Sequence, residues 1–219
     1  MDARQFAEGI ARFKNNGILT EEVAENNLLY WLRIGNDLRS KLIDVEYMKT
    51  KNLDPSYYQT VEYSLVEYDK KSCLYVTDQK LPKILRLSIM GDAVNYIGGT
   101  DPCAVPYRSA QNYLEMRNIN NESLLRKNRR RYLLDYSIGQ GLLLKTKYPE
   151  PTIIVRAIFA EPQNVHTFNP TDEYPVPQDF MISMEDDMFR KYARLMFSGI
   201  KDRVSNTKND LEDAARGTR

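Results

Sequence analysis

The sequence is poor in the residues that most often do chemistry. One histidine, two cysteines and one tryptophan stand among 219 residues. Cys73 and Cys103 are too few and too distant for a disulfide scaffold or a zinc cluster. Adding His166 yields three scattered soft ligands, so two buried thiols and a loop imidazole are expected, and no metal. Excess charge of one sign is also lacking. The 31 basic and 30 acidic residues leave a formal charge of +1, which excludes a globally basic nucleic-acid binder. No run approaches the ~20 apolar residues that span a bilayer. Met1-Asp2-Ala3-Arg4-Gln5 carries an acid early and leads into no apolar stretch, which predicts no secretory signal, synthesis in a cytoplasm and no membrane partner.

Catalytic signatures are missing as well. There is no glycine loop followed by Lys-Ser/Thr, no Gly-x-Gly-x-x-Gly and no Gly-x-Ser-x-Gly. Gly98-Gly99 and Gly139/Gly141 sit where turns between strands require them. His166 lies in the polar connector Gln163-Asn164-Val165-His166-Thr167 and reads as an exposed loop histidine. The pair Asp186-Asp187 reads as the solvated side of a helix. No catalytic, cofactor-binding or metal-binding residue is assigned, and no enzyme is expected.

What is present suffices for a core. The chain is 42% hydrophobic and 11% aromatic, and one of this size buries roughly 70–75% of its extended surface. Phe6, Ile10 and Phe13 predict a short amphipathic helix ended by Asn15-Asn16-Gly17. Thr20 suits an N-cap, with Glu21 and Glu22 in the first turn. Val23, Asn27, Tyr30, Ile34, Leu38, Leu42 and Val45 then recur at helical spacing, flanked by Trp31, as one long helix closing near Lys49 and Lys51, before Asp54-Pro55.

The period then changes to two. Val61, Tyr63 and Leu65 alternate with Glu62, Ser64 and Val66. Further strands are expected at Leu74 to Val76, Lys83 to Ile89, Val94 to Ile97, Arg131 to Tyr136, Leu142 to Lys145 and Ile153 to Phe159. Ala110 to Met116 fits a helical turn or a strand equally. Tyr174-Pro175-Val176-Pro177 reads as extended. Met181, Met184, Met188, Tyr192 and Leu195 form a second helical stripe, with acids leading and bases following. From Ser205 the chain is a polar tail with little to bury.

The expected fold is α+β. N-terminal helices (1–55) and a connector with a C-terminal helix (166–204) pack together as a helical body. A mostly antiparallel β lobe (56–165) is inserted between them, and a polar tail (205–219) follows.

Two features bear on function. The first is the basic run Arg126-Lys127-Asn128-Arg129-Arg130-Arg131, suited to phosphates or to acids on a neighbouring subunit. The second is an excess of tyrosine, 15 against 7 phenylalanines. Tyrosine and arginine are enriched at protein–protein contacts, and a Met-rich helix adds an adaptable apolar surface. Contact, not catalysis, is the expected business of this chain, with a DNA-binding accessory role through Arg126 to Arg131 as the alternative.

Several phrases also carry a resemblance. They are Lys80-Leu81-Pro82-Lys83-Ile84-Leu85, Val94-Asn95-Tyr96-Ile97-Gly98-Gly99-Thr100-Asp101, Pro106-Tyr107-Arg108-Ser109, Ile154 to Pro162 and Tyr174 to Asp179. In that order, over roughly Lys80 to Asn206, the chain resembles head–tail adaptor or ring proteins of crAss-like and related short-tailed phages. The resemblance implies a virion protein in a homo-oligomeric ring, commonly of twelve subunits, with a helical body and a β lobe. It also implies docking to the portal and to neighbouring tail or ring proteins, with genomic DNA passing through the bore. In a cyclic ring each contact is heterologous. Arg126, Lys127, Arg129, Arg130 and Arg131 are therefore expected to meet Glu185, Asp186 and Asp187 of the next subunit, or to line the portal junction.

Overall fold

The computed structural model describes residues 1–14, 27–101, 105–118, 130–137 and 139–182. Met1–Pro177 forms one compact unit and Gln178–Arg219 a second. Of the second, residues 178–182 are described, opening a helical turn at Phe180.

Nine strands and three α-helices make up the described part of the first unit: α1 (Ala3–Lys14), α2 (Leu28–Thr50), β1 (Gln59–Asp69), β2 (Leu74–Thr77), β3 (Arg86–Leu87), β4 (Gly91–Asp92), β5 (Val94–Gly99), β6 (Arg108–Ser109), α3 (Tyr113–Asn118), β7 (Arg131–Asp135), β8 (Gly141–Lys145) and β9 (Thr152–Ala157). Seven strands join in one sheet in the order β5-β9-β1-β2-β8-β7-β6, and β3-β4 form a separate hairpin. The pairings are antiparallel except β6 with β7.

This sheet curls almost into a barrel. β1 serves two neighbours in turn: Gln59 to Ser64 pair with β9, and Leu65 to Asp69 with β2. A register shift between Glu67 and Asp69 adds local twist. At the seam, the Tyr107 amide beside β6 donates to the Ile97 carbonyl on edge strand β5 at 2.7 Å. That bond covers part of the edges that an open sheet leaves unpaired.

The interior follows from period-two alternation. Val61 and Tyr63 of β1 face inward with Ile97, Leu142, Leu144, Ile153, Val155 and Phe159, while Glu62 and Ser64 are exposed. β8 is buried throughout because both its faces are covered. Leu142 and Leu144 fill the barrel, and Leu143 packs outward with Leu74, Ala110 and Met116 under α3. Each such leucine contributes roughly 1.5–3 kcal/mol by leaving water. The buried Lys145 ammonium donates to the Met116 carbonyl and ties α3 to β8; burial pushes its pKa down.

The sheet is the body of the protein, which overturns the expected helical body with an inserted β lobe. The physical reason lies in α2. Helical periodicity puts Tyr30, Ile34, Leu38, Leu42 and Val45 on its apolar stripe, which demands an equally long helical partner. The buried face is instead Trp31, Leu32, Gly35, Asn36, Arg39 and Ile43, Ile34 and Leu38 being only half-buried and Tyr30 exposed. Part of this face meets α1, where Phe6 packs so closely that a Cβ on Gly35 would stand 2.5 Å from its ring. The rest meets irregular backbone. Arg39 is fully buried and donates to the carbonyls of Pro175 (2.9 Å), Phe159 (2.9 Å) and Tyr57 (3.1 Å). Asn36 bridges Gln163 and the Tyr174 hydroxyl, each at 2.8 Å. Arg39 thus ties α2 to the backbone of three segments, and Asn36 ties it to the side chains of Gln163 and Tyr174.

α1 opens with a reciprocal cap: the Gln5 amide donates to Asp2, and the Asp2 amide to the Gln5 side chain. The Tyr174 amide then donates to the Met1 carbonyl, and the Phe6 ring stacks on Tyr174 at 4.6 Å. Other expectations are resolved as follows. Lys83 to Ile89 contributes only the two-residue β3 and a bridge from Ile84 to Phe159. Ala110 to Met116 leads into helix α3. Tyr174 to Val176 is buried, its Val176 amide turning back to the Tyr174 carbonyl. The Thr20 cap, the stripe from Met184 onward and the polar tail lie outside the described residues.

Candidate interaction surfaces

Arg126, Lys127, Arg129, Glu185, Asp186 and Asp187 lie outside the described residues, so the structure brings none of these together. Arg130 and Arg131 are described. Arg131 opens β7 opposite Lys145 and is half-buried. Arg130 is only 7% exposed, and its guanidinium meets the Glu150 carboxylate of the same chain at 2.6 Å. It also lies over the Tyr107 ring, 5.6 Å from the centroid, where burial raises the tyrosine pKa to about 12. This pair stands at the barrel seam and holds architecture together. Strand-opening Arg131 was legible as such; the internal carboxylate for Arg130 was not, since Glu150 sits between two prolines in what reads as punctuation.

Cys73 takes a left-handed backbone (φ 53°) in the β1–β2 turn and is half-exposed, not a buried thiol as expected. Cys103 lies outside the described residues. His166 is exposed and packs edge-on against Tyr63, ring centroids 4.9 Å apart. Among the described residues no cluster of acids, histidines or cysteines has metal-ligand geometry, and no helix is long and apolar enough to cross a membrane.

The surface most suited to a partner was not found from sequence. The β3–β4 hairpin exposes Ile89 (60%) and Met90 (41%) at its tip. It is tethered to α2: Asp44 accepts from the Ser88 amide at 2.9 Å and from its hydroxyl at 2.5 Å. Those bonds keep the Asp44 carboxyl below the usual carboxylate range. Met48, one helical turn on from Asp44, is 44% exposed. Beside the tip runs a groove of about 430 Å³ lined by Tyr47, Lys51, Asn52, Leu53, Pro55, Tyr58, Met90, Asn95 and Arg156. Lys51 closes α2 in the left-handed conformation and lies over Tyr47; Arg156 on β9 lies over Tyr58. Asn95 stands where β5 slips register against β9. The sequence signal for this surface was slight: Ile89-Met90 before Gly91 reads as the end of a strand. A second cavity, about 770 Å³, is lined by Lys80 to Lys83, Tyr136 and Asn164.

The described residues thus form a small curled sheet whose buried cations Arg39, Arg130 and Lys145 serve its own architecture, with an exposed apolar tip beside a groove that holds two cations. The profile of a family described as phage tail ring protein 2 matches residues 14–211. The chain belongs to this phage tail ring protein family, of the crAss-like phages. It is thus a virion structural protein of a ring-forming kind, as the resemblance implied at this coarser level. No curated protein matches the chain.

Proposed function

We propose that the chain is one subunit of a closed homo-oligomeric ring of about twelve copies in the head–tail connector. The ring docks to the portal on one side and to neighbouring tail or ring proteins on the other, and its bore passes the genome. The observation that carries this reading is the exposure of Ile89 and Met90 on a hairpin tethered to α2, with Met48 exposed one helical turn beyond the tether. Exposed apolar residues gathered on a tethered hairpin are what a docking face requires. A net charge of +1 suits a conduit, because each additional cation would strengthen the hold on phosphate. In this reading Arg126, Lys127, Arg129 and Arg131 face Glu185, Asp186 and Asp187 of the next subunit. Arg130 is left out because Glu150 already neutralises it.

The test is negative-stain imaging of the purified protein, alone and with its portal. Rings seen alone or on the portal support the reading. A strict monomer that ignores the portal overturns it.

A further inference from the structure

The groove beside the β3–β4 tip has an unusual balance. Its lining holds two cations, Lys51 and Arg156, and no carboxylate. Neither cation makes an ion pair among the described residues; each lies over a tyrosine ring instead, 5.7 Å for Lys51 over Tyr47 and 5.8 Å for Arg156 over Tyr58. The rings fix where the charges stand while leaving their outward sides open to an anion. Leu53, Pro55 and Met90 supply apolar lining between them. Lys51 also occupies the left-handed position that ends α2 (φ 59°), a place glycine fills with less strain. The occupant that fits therefore carries several carboxylates around a central apolar side chain.

One stretch of this sequence has that pattern and no helical stripe to bury it: Asp210-Leu211-Glu212-Asp213. It offers three carboxylates about one leucine, within a polar segment whose composition gives it little reason to order alone. We infer that the groove receives the Asp210–Asp213 segment of a second copy of this chain, with carboxylates on Lys51 and Arg156 and Leu211 against Met90 and Leu53. The inference rests on the ring reading above and names one of its subunit contacts. Such a contact joins different surfaces of identical chains, as a cyclic assembly requires.

The test uses a fluorescent peptide of residues 205–219 and the full chain carrying D210N/E212Q/D213N, so that its own segment does not compete. Anisotropy should report binding that weakens as salt rises. K51E/R156E should weaken it by roughly tenfold or more, and a peptide carrying D210K/E212K/D213K should restore binding to that variant. Circular dichroism of K51E/R156E checks that the fold is kept; if it is not, K51M/R156M replaces it, with the same loss expected. Absence of binding, or binding indifferent to the groove substitutions, overturns the inference. Ring formation by the intact chain is read separately by imaging. Rings that persist with K51E/R156E remove this contact and leave the ring; a chain that never assembles, alone or on the portal, removes the ring whatever the peptide does.

Discussion

Arg130 and Glu150 meet at 2.6 Å across the barrel seam, the arginine ahead of β7 and the glutamate ahead of β9. Their placement explains why a run of cations that looks suited to phosphate contains a member turned inward. Removing one partner of such a pair leaves a buried charge uncompensated, at a cost of about 3–5 kcal/mol, whereas replacing both by apolar groups is often close to neutral. Glu150 retains some exposure, which places it at the lower end. R130M is therefore expected to lower the urea midpoint clearly, and R130M/E150M to recover much of the loss. Equilibrium denaturation of the three chains checks this. A double variant no more stable than R130M would refute it.

Gly99 belongs to the same device. A Cβ there would stand 1.3 Å from the Glu150 carboxylate Oε2, and 2.2 Å from its Cδ. G99A is thus expected to push Glu150 off Arg130 and to destabilise by about the same few kcal/mol as E150Q. The decisive measurement is the combination, since residues acting through one contact do not add. G99A/E150Q should be scarcely less stable than E150Q alone. A fully additive double variant would mean that the glycine serves some other purpose.

The legible and illegible parts of this fold divide along physical lines. β1, β2, β5, β7, β8 and β9 announce themselves because one-residue alternation, or a short apolar run such as Leu142-Leu143-Leu144, has few other solutions. What those strands build is another matter. Closure depends on β1 changing partners at Leu65 and on one bond from Tyr107 to Ile97, and neither leaves a trace in periodicity. Periodicity does not show the orientation of α2, because Asn36 and Arg39, polar by composition, occupy its most buried turns. The groove gathers Lys51, Met90 and Arg156 from three separate stretches, so no local pattern could show it. Arg156 and Gly99 do fall within the phrases that carried the family resemblance, although those phrases pointed to a family and not to a site.

Arg39 provides a sharper measure of how α2 is attached. It is wholly buried, charge-bearing and bonded to three carbonyls from three segments. Burial lowers its pKa to about 10, so it stays protonated near neutrality. R39M preserves most of the volume yet strands the three acceptors; with roughly 1–3 kcal/mol for each unsatisfied buried group, a loss of about 3 kcal/mol or more is expected. At this chain length that corresponds to a fall of roughly 6–12 °C in Tm. R39K should rescue little, because one ammonium does not span the fork of a guanidinium. Calorimetry of both variants decides. Near-native stability of R39K would show that charge, and not the fork, is what matters.

The tether between Asp44 and Ser88 makes a prediction in pH. Ser88 donates twice to the Asp44 carboxylate and thereby holds its pKa below the ordinary value. A carboxyl depressed in the folded state lends its support fully above the unfolded pKa of about 4 and loses it as pH falls through the lower folded value. The β3–β4 tip is therefore expected to stay fixed at neutral pH and to loosen only in acid. Methyl signals of Ile89 and Met90, followed by NMR from pH 7 down to about 2, should titrate with a midpoint below that of an unperturbed aspartate. In D44A they should show no such step and should already resemble the acid form at pH 7. S88A, which removes the hydroxyl but keeps the amide, should move the midpoint upward toward the unperturbed value. A flat profile in the unsubstituted chain, or a midpoint above that of an unperturbed aspartate, would mean that the hairpin is positioned by something other than this pair. The docking role proposed for Met48, Ile89 and Met90 would then lose the tether it relies on.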